Sequence, residues 1–122
     1  MSRDHRKLAV FGLADSFVVS VYACTGKFPP TEHFGLQAQI RRSAVSIAAN
    51  IVEGCARPSL GEYRRFVGIA LASARECSYL LGLATRLGFI GSTDGNALLT
   101  ESEELMRRLG ALARALDSRT DG

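Results

Sequence analysis

Binding a metal or attacking a substrate needs cysteine, histidine and carboxylate side chains brought together, and this chain spaces them poorly for either task. Its cysteines are Cys24, Cys55 and Cys77, and its histidines are His5 and His33. No cysteine pair has the C-x-x-C spacing of a zinc site. Neither histidine stands at ligand spacing from another donor or where it would serve as base to a serine or cysteine. Glu101, Glu103 and Glu104 form an acidic cluster, but among leucines on a helix they read as a solvated face. A di-metal helical bundle needs Glu-x-x-His pairs on inward faces, and the chain has none. "CTGKF", residues 24–28, resembles the end of a phosphate-binding loop. Val21 stands where its first glycine belongs, however, and no strand precedes it. These residues point to no catalytic centre, metal or cofactor, and they identify no small-molecule substrate. The chain reads as a non-enzyme.

Arginine is the remaining chemical signal. There are 13 arginines against 2 lysines. Residues 41–75 hold six of those arginines, no lysine, and only Glu53 and Glu62, a local charge of +4 within a net charge of +3. Arginine is the better bidentate partner for phosphate and carboxylate. Arg42, Arg57, Arg64 and Arg65 flank one helix–helix turn and are the candidates for contacting RNA or DNA. GC-rich coding gives the same excess of arginine over lysine without any such role.

These side chains must be positioned by helices. Apolar residues recur at period 3.6, and no sustained period-2 alternation appears. The first helix is expected over about 4–25, burying Val10, Ala14, Phe17, Val21 and Cys24, before Gly26 and Pro29-Pro30 end it. The second is expected over about 32–56, with Leu36, Ile40, Ala44, Ile47 and Ile51 as its stripe. Ser59 and Glu62 form a capping box that starts the third helix, 59–87, burying Phe66, Ala70, Ser73, Cys77, Leu80, Leu81 and Ala84. The fourth, 93–116, carries Leu98, Ser102, Leu105, Leu109, Leu112 and Leu116 at alternating steps of four and three, a bundle seam. Four helices with short connections predict an all-α, antiparallel up-down-up-down four-helix bundle filling one domain, residues 1–122. The first few residues and the terminal "SRTDG" are expected to fray. No apolar run approaches the roughly 20 residues of a bilayer span, and the odd cysteine count suits a reducing compartment, so a cytoplasmic protein with no membrane partner is expected.

The stretch "QIRRSAVSIAANIVEGCAR", residues 39–57, carries two patterns. At about 100° per residue, with Ile40 at zero, the apolar arc spans about 140°, wider than the roughly 100° a surface helix needs. The excess calls for cover, and a second subunit supplies it. Opposite runs a polar row: Gln39, Arg42, Ser46, Asn50, Glu53 and Arg57. It reads as a solvated face, as a polar subunit contact or lining of an oligomer, or as arginines offered to phosphate. Asn50 favours the second, since asparagine is a poor mid-helix residue without a partner. Arg41 falls inside the apolar arc and needs a carboxylate such as Glu62 or Glu76, backbone carbonyls, a subunit boundary, or an exposed margin to snorkel along.

The segment from "FPPTEHFGLQAQIRRSAVSIAANIVEG" through "CARPSLGEYRRFVGIALASARE" resembles small four-helix-bundle proteins encoded within 23S rRNA intervening sequences and by stand-alone bacterial genes. It is similar in fold to the accessory variability protein of diversity-generating retroelements. The resemblance implies ring-forming homopentamers, and for the retroelement relative, nucleic-acid binding by a more basic surface than this one. The motif positions are Gln39, Arg41, Arg42, Ser46, Asn50, Glu53, Gly54 and Arg57. Two expectations follow: a homo-oligomeric, pentameric assembly or scaffold protein, or a nucleic-acid-binding accessory protein. Salt divides them, because phosphate binding weakens steeply with salt and apolar assembly does not.

Overall fold

The computed structural model describes residues 3–121, with side chains through Arg119. Four helices form an antiparallel up-down-up-down bundle: α1 (Ala9–Thr25), α2 (Leu36–Cys55), α3 (Leu60–Arg86) and α4 (Ser92–Asp121). Each helix packs on its chain neighbours, and α1 closes the square against α4. α1 and α3 therefore stand diagonally across the bundle, as do α2 and α4.

The helix ends follow their capping chemistry. α1 begins later than expected because Asp4 caps a separate 3-10 turn, His5–Lys7, and Leu8 is extended. α2 begins four residues later than expected. Glu32 ends a 3-10 turn that opens at Pro30, and its carboxylate instead accepts the Leu36 amide at 3.1 Å, serving as an N-terminal cap. Ser59 Oγ accepts the Glu62 amide at 3.1 Å, the expected cap of α3. α3 ends on Gly88 at φ 81°, with Phe89 N–H donating to Ala84 O and Gly88 N–H to Thr85 O, the paired bonds of a glycine-terminated helix. α4 runs past the expected end to Asp121. The expectation of fraying fails at Arg3, whose amide donates to Cys55 O at 2.8 Å and whose guanidinium stacks on Tyr63. Of the ends named in that expectation, Met1, Ser2 and Gly122 lie outside the described residues.

The core is aliphatic. Phe17 and Val21 of α1, Ile40, Ile47 and Ile51 of α2, Val67 and Leu81 of α3, and Leu98, Leu105, Leu109 and Leu116 of α4 are all but fully buried. Val67 takes the place expected for Phe66, which is only half-buried. Cys24 and Leu112 are half-buried too. Where α2 meets α3, Gly54 admits the neighbouring helix: a Cβ there would meet Phe66 Cβ at 3.0 Å. α3 is long and apolar enough to cross a membrane, with mean hydropathy 1.3 over an 18-residue window, a feature that spacing alone did not reveal. Its apolar stripe is the one that faces the bundle core.

Cys77 lies in that core, and burial pushes its thiol up to about 11. A thiol raised above its unfolded value stabilises the fold fully below pH 9, and that stabilisation fades as pH rises through about 11. Wild-type chain should therefore lose stability more steeply between pH 9 and 11 than Cys77→Ala. Chemical denaturation across that window measures the slope, and parallel curves would contradict it.

Candidate subunit-contact surface

The polar row of α2 faces the seam with α3. Arg42 donates to Glu76 at 2.6 Å. The hydroxyls of Ser46 and Ser73 share a 2.8 Å hydrogen bond between the helices. Asn50 Nδ2 donates to the carbonyl and hydroxyl of Ser46, at 2.8 and 3.0 Å. Its partner thus lies in its own helix, one turn back. Arg57 pairs with Glu53 at 3.0 Å and lies against the Phe66 ring. Gln39, at the start of the row, is exposed. The row brings Arg42, Ser46 and Arg57 against α3 on the outside of the bundle, and its middle members are half-buried.

Arg41 takes neither Glu62 nor Glu76. Its Nε donates to Thr25 Oγ1 at 2.9 Å, Nη2 reaches Tyr22 O at 3.3 Å, and the guanidinium stacks on the Tyr22 ring. Buried Gln37 donates to Thr25 O at 2.6 Å. Together they satisfy carbonyls left open at the end of α1. Glu76 is occupied by Arg42 instead. Gln37 and Thr25 escaped the sequence reading, although a glutamine one place beyond a stripe leucine was a visible signal.

The arginines proposed for nucleic acid do not form one bare patch. Arg42 and Arg57 carry the ion pairs just described, and Arg64 pairs with Asp117 of α4 at 2.8 Å. Arg65 lies over Phe66 and, among the described residues, forms no ion pair. Exposed pairs of this kind contribute only about 0–1 kcal/mol each, but they neutralise the local field that phosphate would meet.

Apolar surface remains uncovered on three helices. α1 covers part of the wide arc of α2, yet Val45 stays 41% and Val52 36% exposed. Val19 on α1 is 66% exposed, and Tyr79 on α3 is 63% exposed.

Between α1 and α4 a cavity of about 220 Å³ is lined by Leu13, Ser16, Phe17, Thr100, Glu101 and Glu104. Hydrogen bonds from Arg107 and Arg108 hold the Glu104 carboxyl down at about 2. Glu101 differs: partial burial pushes its carboxyl up, and among the described residues no cation pairs with it. Also among the described residues, no three His, Cys, Asp or Glu side chains gather as a metal-binding group.

A family model described as 23S rRNA-intervening sequence protein matches residues 6–111. A crystal structure described as a protein with unknown function from the S23 ribosomal protein family of Bacteroides thetaiotaomicron is similar at 26% identity and TM-score 0.80, over 86% of this chain and 98% of that one. No curated protein sequence matches.

Proposed function

This chain belongs to the family of 23S rRNA-intervening sequence proteins, and from that premise we propose a non-enzymatic, cytosolic assembly protein: a homo-oligomer, pentameric by the resemblance, that acts as a scaffold. One observation carries the reading. Large apolar side chains stand exposed on α1, α2 and α3, and where such side chains join into a patch the surface is covered by association. The polar row supports it in a secondary way. Arg42, Ser46 and Arg57 stiffen the outer α2–α3 seam, giving a neighbour a preformed surface rather than a mobile one.

The experiment is sedimentation at micromolar concentration. A species of several subunits is expected, and a monomer would contradict the proposal. The reading in which arginines bind nucleic acid has less support, because Arg42, Arg57 and Arg64 are each paired with a carboxylate of the same chain. It has its own test. The double substitution Arg64→Glu/Arg65→Glu should change binding to a structured RNA by less than about twofold, measured by filter binding. A loss of roughly tenfold or more, with a steep dependence on salt, would place the function on those arginines.

A further inference from the structure

The groove between α1 and α4 has an unusual combination of features. Its lining is apolar at Leu13 and Phe17, and among the described residues no cation pairs with its Glu101. Glu104 is already paired with Arg107 and Arg108, so Glu101 is the carboxylate left to bind. A partly desolvated carboxylate above an apolar floor suits a cation carried on an apolar stem. A guanidinium fits best, since it is more weakly hydrated than an ammonium and pairs bidentately.

The same chain offers such a group on its far side. Arg75 is exposed on α3 and makes no ion pair, hydrogen bond or ring contact among the described residues. One helical turn on stands Tyr79, the most exposed apolar side chain of α3. The levels agree. Thr85 of α3 lies against Gly95 of α4. The two helices are antiparallel, so six residues along each brings Tyr79 level with Glu101 and leaves Arg75 level with Leu105, one helical turn from Glu101 and within the span of an arginine side chain. α1 stands diagonally across the bundle from α3, with α4 between them, and within one chain Arg75 makes no ion pair with Glu101 among the described residues.

We propose that the α1–α4 groove is the socket for Arg75 of a second copy of this chain, with the outer face of α3 docking across α1 and α4 of its neighbour. This rests on the assembly reading above and deepens it. The contact joins two different patches, so it is heterologous: each copy has one socket and one plug, and the chain of contacts ends only by closing into a ring. Tyr79 would cover the apolar rim beside Leu13, and the Arg75 stem would fill the groove.

The test is a charge exchange read by sedimentation over a concentration series. Glu101→Arg and Arg75→Glu should each weaken self-association about tenfold or more, as expected for a close interfacial charge pair. Both sites are on the surface, so circular dichroism should report unchanged helix content. The double variant, which rebuilds the pair in reverse, should recover most of the lost association. Wild type that assembles while both single variants assemble equally well would overturn the socket and leave the assembly standing. So would a double variant no better than either single one. A monomeric wild type would overturn the assembly, and the socket with it.

Discussion

Val19→Asp combined with Val45→Asp should turn the assembly into folded monomers. Both side chains are substantially exposed in the single chain, at 66% and 41%, and surface substitutions of that kind change monomer stability by only about 0.5 kcal/mol. In an association that covers this α1–α2 surface as well as the α1–α4 groove, each aspartate would be buried without a partner, a cost of roughly 1–3 kcal/mol or more per group. Two such costs, about 2–6 kcal/mol together, weaken association by about 30-fold to 10⁴-fold. The expected result is the mass of one subunit at micromolar concentration, with helix content and melting temperature close to wild type. A variant that keeps the wild-type mass would mean that this apolar surface is open to water in the functional state.

Ile47→Ala should have the largest effect on the fold itself. Ile47 is fully buried in the middle of α2. Truncating such a residue removes its transfer energy and leaves a cavity, at about 2–5 kcal/mol, whereas Ile47→Val should cost only about 0.5–1.5 kcal/mol. The closely packed helices on either side limit how far the site can collapse. Urea unfolding measures both, and the ordering is the sharper claim. Equal losses from the two substitutions would show that α2 does not pack as described. Val52→Ala on the same helix is a control, since Val52 is 36% exposed and should lose far less.

The stripe of α2 was legible in sequence because its spacing states its own geometry. Leu36, Ile40, Ala44, Ile47 and Ile51 are all buried, as steps of four and three require. The same spacing erred by one residue on α3, taking Phe66 for the core where Val67 sits. A phenylalanine outweighs a valine in any hydrophobic count, and only the neighbouring helix decides which of two adjacent residues points inward. The start of α2 was misplaced because Glu32 can act as a first-turn acid or as a cap, and Pro29-Pro30 leave both open. Arg41 stood out in the sequence as a misfit in an apolar arc. Its partners, Thr25 and Tyr22 on α1, were hidden because helical periodicity orders residues within a helix and says nothing about which residue of another helix stands opposite. The pairing of Asn50 with Ser46 was within reach, at four residues on one face. For the same reason the α1–α4 groove was invisible: Glu101 appeared in sequence as one of three acidic neighbours, and it is the packing of α1 that sets Glu101 and Glu104 apart from Glu103 and the pairing with Arg107 and Arg108 that sets Glu104 apart from Glu101.

Solution mass by light scattering, at low and at high salt, with and without a generic structured RNA, tests the assembly most directly. A mass near five subunits that holds across salt and does not shift with RNA is the expected result, because apolar association is insensitive to ionic strength while phosphate contacts are not. A monomer that gains mass only with RNA, and only at low salt, would contradict it and move the function to the arginines of α2 and α3.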